Sequence, residues 1–256
     1  DSRTLSILKS EITRITNIFI SDYSVSSTFC PQKKELNFQG FSSVLSEGKI
    51  VVLNMNIAEY KNLSKIIATY LKLDFQSEIM YNLSHKNVNT SAFICDEYAE
   101  YISKTDADFF SLSREAKCIN IVCTQSYSSL KNTLKDETAV KVIIQNLINK
   151  IWFRTDDIFT IEEAQKQLGK EEKKLTSTTI SENAKETNFN FITNSFNSKN
   201  SNITESLNSY TQKDFIFDTN FFTQKLETFT AIAFLSDGTH IFKPSKLKMF
   251  PYFKNY

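Results

Sequence analysis

The chain has 256 residues with 30 Lys and Arg against 29 Asp and Glu, a net charge of +1, so any nucleic-acid contact has to be local rather than driven by a bulk positive field. Four Gly and three Pro disfavour a turn-dense β-sandwich and a glycine-rich phosphate loop. Four cysteines with no Cys-x-x-Cys pair, and two histidines, argue against a zinc site and fit a reducing cytoplasm, and no apolar run approaches the ~20 residues that span a bilayer.

Leu5, Leu8, Ile12, Ile15, Ile18 and Phe19 recur mostly at spacings of three and four, which predicts an amphipathic helix over 3–20. Residues 23–39, broken by Pro31, read as a connection. Residues 41–45 lead into a Glu47-Gly48 turn, and KIVVLN (49–54) has the β-branched content of a buried strand. Ile57, Tyr60, Leu63, Ile66, Ile67, Tyr70, Leu71 and Ile79 then hold a helical period. With the apolar run 92–95 this makes a strand–helix–strand unit, whose crossover implies parallel pairing. Phe109, Phe110 and Leu112 suit a short helix, 119–123 a third strand, and 138–149 a helix with Val140, Ile143, Ile144, Leu147 and Ile148 on its apolar side.

KIWFR (150–154) reads as a fourth strand with Trp152 in the core. Thr160 and Glu163 have capping-box spacing before a helix over 164–168 that stops at Gly169. Four strands divided by three helical or mixed segments predict an α/β sheet. Residues 170–212 are dominated by Ser, Asn, Thr, Lys and Glu, so a mobile loop or a ragged hairpin is expected there. A closing hairpin is predicted from 228–235, an Asp237-Gly238 turn and 239–242.

Chemistry collects at strand ends, where an open parallel sheet presents its site. The run 92–95 ends in Asp96 and Glu97. Such a pair can hold the Mg²⁺ of a bound nucleotide through the Asp and polarise a water through the Glu; the plainer alternative is a cap on the following helix. Gln125, at the tip of the next strand, could orient that water or sense a γ-phosphate, or be an ordinary loop residue. Arg114 could stabilise transferred-phosphate charge in a neighbouring subunit, or pair with Glu115 or Asp108 on an exposed surface. Asp106 and Asp108 add carboxylates that open a nuclease-like metal site as a rival, although no compact acid-x-Lys pattern or nearby His supports it. Arg154 is a weaker phosphate or subunit-contact candidate. Cys95 and Cys123 read as small buried hydrophobes, His85 and His240 as surface residues, and Lys33-Lys34 and the lysines of 170–174 as solvated faces.

Three passages taken together resemble a family: EGKIVVLNMN followed by a long helix, FICDEYAEY leading through SLSREAKCINIVCTQS, and TFTAIAFLSDGTHIFKPSKLKMFPYF. They are similar to the type IV coupling proteins, the TraG/TraD-like DNA-translocating ATPases of conjugation and type IV secretion. The resemblance implies the C-terminal portion of a RecA-like P-loop NTPase motor over 36–256, a mostly parallel sheet flanked by helices with a closing hairpin. Residues 1–35 resemble the end of that family's all-α domain. By the same resemblance Asp96 and Glu97 correspond to the Walker B pair, with Asp96 serving metal and nucleotide, Arg114 to the arginine finger and Gln125 to the strand-tip glutamine at the nucleotide.

The implied cofactors are ATP and Mg²⁺. The implied partners are single-stranded DNA, relaxosome and relaxase proteins, type IV secretion channel components and further copies in a homo-hexamer, at the cytoplasmic face of a membrane through an anchor outside this chain. No G-x-x-x-x-G-K-[ST] occurs, so the phosphate loop is expected upstream of Asp1 and this chain alone is not expected to hydrolyse ATP. A non-catalytic docking module derived from the motor, and a HerA/FtsK-like translocase outside conjugation, are the alternatives.

Overall fold

The computed structural model describes residues 2–87, 89–182, 188–190, 195–197 and 203–251. It divides into two compact units, Asp1–Ile148 and Asn149–Tyr256.

In the first unit the expected amphipathic helix is α1 (Ser2–Ser21). The predicted connection after it begins instead with α2 (Tyr23–Phe29). Asp22 caps this helix by accepting from the Val25 amide at 3.1 Å, and Val25 is buried with Leu63 and Ile67. Helix α3 (Phe41–Glu47) stops at Gly48, which takes the left-handed backbone (φ 65°) that glycine tolerates. The long helical period is split: α4 (Ile57–Tyr60) and α5 (Asn62–Ser84) are separated at Lys61, whose φ is +46°.

The expected strand at 49–54 is corrected. The segment pairs with no described strand, and Ile50 and Val52 are 89% and 81% exposed. Its β-branched residues favour extended backbone, but a strand exists only where a neighbouring strand takes up its hydrogen bonds, and no described strand does.

The parallel pair itself is present. Strands β1 (Ser91–Cys95) and β2 (Cys118–Val122) run parallel, in register from Ser91↔Cys118 to Cys95↔Val122. Between them lies α6 (Asp106–Leu112). After β2 come α7 (Tyr127–Leu134), a helix the periodicity did not announce, and α8 (Glu137–Asn146). Each has a side-chain cap, Ser126 on the Ser129 amide and Asp136 on the Ala139 amide, both at 3.1 Å. One face of the pair, with Phe93, Cys95, Cys118 and Val122, packs on a core of Phe75, Ile79, Phe109, Phe110, Val140 and Ile143. Each large side chain fully buried there contributes roughly 1.5–3 kcal/mol. The other face carries Ile94, Ile119 and Ile121 exposed.

The second unit contains β3 (Lys150–Trp152), α9 (Ile158–Leu168), β4 (Lys170–Glu182), β5 (Asn188–Asn190), β6 (Ser195–Asn197), β7 (Ile203–Phe215), β8 (Thr230–Phe234) and β9 (Ser245–Lys248). The predicted fourth strand is therefore real, but it lies in a different sheet. It pairs antiparallel with β8, which pairs antiparallel with β9. The reason is burial: β8 is covered along Thr230–Ala233, and Trp152 closes a core with Ile161, Ala164, Phe222 and Ile232.

The closing hairpin is longer than expected: 239–242 does return beside 235–236, with an antiparallel Ser236↔Ile241 bridge and the Phe242 amide donating to the Leu235 carbonyl at 2.9 Å, and the regular second strand follows at 245–248, so that the turn itself is 237–240. The Asp237 carboxylate accepts from the amides of Thr239 (2.8 Å) and His240 (2.7 Å), which holds that stretch in a turn. Helix α9 also starts earlier than the capping-box spacing suggested. Asp157 is its cap, accepting from the Thr160 amide at 3.0 Å and the Thr160 hydroxyl at 2.6 Å, and the helix ends at Gly169 as expected. Within the polar stretch, β4 and β7 pair antiparallel over an unbroken register from Lys170↔Phe215 to Glu182↔Ile203. Short polar and β-branched residues suffice for such a ribbon because the backbone supplies its hydrogen bonds. At its base Lys173 Nζ donates to the Phe215 carbonyl at 2.7 Å.

Candidate functional site

The chain leaves β1 at Cys95 and turns sharply through Asp96 and Glu97. Glu97 has left-handed backbone, φ +48°, uncommon for a residue with a side chain. Local hydrogen bonds hold it there. Asp96 Oδ1 accepts from the Glu97 amide at 2.9 Å, and the Glu97 carbonyl accepts from the Glu100 amide at 2.9 Å. The Tyr98 amide donates to the Cys123 carbonyl at 2.8 Å, and the Cys123 amide to the Cys95 carbonyl at 2.9 Å, so the acid pair is tied to the end of β2.

That tie brings two of the sequence candidates together. Gln125 Nε2 lies 3.3 Å from both Glu97 carboxylate oxygens. Glu97 is half-buried, while Asp96 and Gln125 are exposed. The resulting cluster, a carboxylate steadied by an amide with a second carboxylate open to solvent, sits at the carboxyl ends of the parallel pair. Among the described residues no group of three or more His, Cys, Asp or Glu could hold a metal ion. A single carboxylate such as Asp96 suits Mg²⁺, which usually completes its shell with waters and substrate phosphates.

Arg114 lies elsewhere. It is exposed in the turn before β2, whereas Gln125 follows the strand's far end. Four steps of about 3.3 Å separate the two ends of the strand by about 13 Å. Within one copy Arg114 therefore does not join the cluster, and its side chain makes no hydrogen bond or ion pair with the described residues, Glu115 and Asp108 included. Arg154, in the second unit, is exposed. His85 stacks on Tyr81 at the surface with ring centroids 4.0 Å apart, and His240 is exposed. Of the two cysteines expected to be buried hydrophobes, Cys95 is partly buried, and burial pushes its thiol up to about 11. Cys123 is exposed, because it alternates to the open face of the sheet.

The rival metal site loses its main ligand. Asp106 is fully buried and already spoken for. Its carboxylate takes Lys72 Nζ at 2.6 Å, the Tyr98 hydroxyl at 2.6 Å, the Ser103 hydroxyl at 2.9 Å, the Ser103 amide at 3.0 Å and Gln76 Nε2 at 3.1 Å. Lys72 also donates to the Tyr101 carbonyl at 2.8 Å and the Ser103 hydroxyl at 2.9 Å. Burial draws the Lys72 ammonium below its ordinary value, opposed by Asp106. Burial first, and then the Asp106 charge, drive the Tyr98 phenol far above its own. In the sequence Asp106 reads as a free carboxylate, and Lys72 as an ordinary helix lysine. The available signal was Lys72 and Gln76, one turn apart, flanking Phe75 on the side of α5 that also carries Ile79.

Residues 91–214, just under half of the chain, match the family described as the TraM recognition site of TraD and TraG. No curated protein sequence matches. One matching solved structure is the bacterial conjugative coupling protein TrwBdeltaN70 in its unbound monoclinic form. Its sequence identity is 13% and its TM-score 0.43, and the match covers 69% of this chain and 36% of that one. The chain therefore spans about a third of that protein's length.

Proposed function

We propose that this TraG/TraD-like coupling-protein chain forms the water-activating part of a RecA-like motor that couples ATP hydrolysis to the transfer of single-stranded DNA. The observation that carries the reading is Glu97, held in a left-handed turn at the end of β1 and 3.3 Å from Gln125, with Asp96 open to solvent beside it. In this reading Asp96 holds Mg²⁺ through one carboxylate, and bound Mg²⁺-ATP supplies the phosphoryl group that is transferred. Glu97 accepts the proton of the attacking water, with Gln125 fixing the carboxylate's orientation. Arg114, distant from the cluster in its own copy, serves the site of a neighbouring copy in a homo-hexamer.

The motor extends over 36–256, with 1–35 the end of an all-α domain, and the phosphate-binding loop lies upstream of Asp1. The family's description as a TraM recognition site supports a relaxosome protein as partner, and relaxase-bound DNA and the type IV secretion channel complete the reading. Among the described residues no helix is long and apolar enough to cross a membrane; the proposed anchor lies outside this chain.

Glu97→Gln in the full-length protein tests the assignment. Turnover is expected to fall about 10²- to 10⁴-fold while nucleotide affinity stays within a few-fold. Retained turnover removes Glu97 from the chemistry. The family description also favours a second reading, a docking module without catalysis. An upstream sequence with no phosphate loop, together with intact binding of a relaxosome protein, would decide for it.

A further inference from the structure

We propose that Asp106, held by Lys72, is the positioning residue that fixes Glu97 through Tyr98. The inference rests on the reading of Glu97 as the water-activating carboxylate. Glu97 occupies a backbone conformation that costs a side-chain-bearing residue free energy and persists only where neighbours over-determine it. Besides the local bonds made by Asp96 and Glu100, the neighbour that ties it to the core is the next residue. Tyr98 is fully buried, its amide is tied to the Cys123 carbonyl at 2.8 Å, and its hydroxyl donates to Asp106 at 2.6 Å. With both ends anchored, Tyr98 cannot rotate without moving Glu97, and Glu97 is what Gln125 meets across the strand ends.

Asp106 receives donors from α5 (Lys72, Gln76), from the turn after β1 (Tyr98), and from the residues leading into α6 (Ser103). It therefore locks three elements against one another directly behind the acid pair. A pure stability role accounts poorly for such a group. An apolar cluster of the same volume would hold these elements at no electrostatic cost, whereas a buried ion pair barely recovers the cost of drying its charges. What the ionic network adds is direction: its hydrogen bonds have lengths and angles, and the Tyr98 hydroxyl can satisfy them in one orientation.

Tyr98→Phe removes one hydroxyl and keeps the ring's packing. In this 256-residue chain the side-chain amide NMR signals of Gln125 report its contact with Glu97. They are expected to shift in Tyr98→Phe while the helical circular dichroism is kept, and unchanged signals overturn the proposal. In the full-length protein, kcat for ATP is expected to fall about 10- to 100-fold, the penalty of misplacing a reacting group by roughly an ångström, with nucleotide affinity unchanged. Unchanged kcat, or loss of kcat and affinity together, overturns it. Should Tyr98→Phe not fold, Ser103→Ala removes a different donor from Asp106 at the half-buried rim and is read the same way. If the wild-type full-length protein turns over no ATP, the proposed function fails, and the Gln125 signals alone decide this inference.

Discussion

Removing Lys72 while leaving Asp106 in place makes the sharpest demand on the buried network. In Lys72→Met the aliphatic stem still fills its space, but the Asp106 carboxylate, fully buried, loses its counter-charge. Breaking a buried pair from one side costs about 3–5 kcal/mol. Four donors remain on Asp106, from Tyr98, Gln76 and twice from Ser103, so the lower end applies, about 3 kcal/mol. Against a typical total of about 5–15 kcal/mol that is a large fraction. It corresponds to a fall in melting temperature of roughly 6–12 °C at about 2–4 °C per kcal/mol for a chain of this size.

Asp106→Asn should cost a similar amount by stranding the ammonium. The double variant removes both charges and keeps an oxygen to accept from Tyr98, so it should be far less unstable than the two single losses added together. Urea titration followed by helical circular dichroism measures the cycle; Trp152, the single tryptophan, lies in the second unit and reports on the wrong part. Additivity of the two substitutions within about 0.5 kcal/mol would refute the claim that the network is a charge-coupled unit.

The cysteines and two of the glycines give three further expectations. Alkylation at pH 8 should label exposed Cys30 first and Cys123 next, its thiol raised chiefly by burial, while partly buried Cys95 and buried Cys118 are protected; mass spectrometry reads the order. Because the folded Cys95 thiol titrates near 11 against an ordinary 9.0, its contribution to stability is present at neutral pH and is lost as pH rises from 9 to 11, and denaturation midpoints across that range should fall accordingly. Gly169 has φ +87° and ψ −169° and nothing within 4 Å of a built Cβ, so Gly169→Ala meets no clash and still costs about 1–3 kcal/mol from the backbone alone. Gly48→Ala, at φ 65° and ψ 35°, should cost nearer 1 kcal/mol. Thermal unfolding of the two variants makes the comparison.

What the sequence made legible is what is decided locally. The run 92–95 and the run 119–123 are strands because their own residues say so, and their parallel pairing follows from the helix between them. Glu97 and Gln125 meet because each stands immediately beyond the end of one of two neighbouring strands, so their juxtaposition needs no knowledge of the rest of the sheet. KIVVLN and KIWFR show the limit. Both have strand composition, but one finds no partner among the described residues and the other pairs antiparallel with a strand about eighty residues further on, and composition carries no information about partners.

The buried network was illegible for a related reason. A lysine and an aspartate 34 positions apart look like two surface charges until the fold brings them together, and charged residues are rarely buried unless paired. The acid pair and its support thus differ in kind. Asp96 and Glu97 can be read from the strand that precedes them, whereas the buried anchor that reaches Glu97 through Tyr98 comes from α5 and α6. A substitution scan restricted to the motif would find the chemistry and miss what aims it. The same reasoning explains why Asp106, the carboxylate nearest to the pair in sequence after Glu100, is the one that cannot bind a metal: five donors already occupy its oxygens, and a cation could enter only by displacing Lys72.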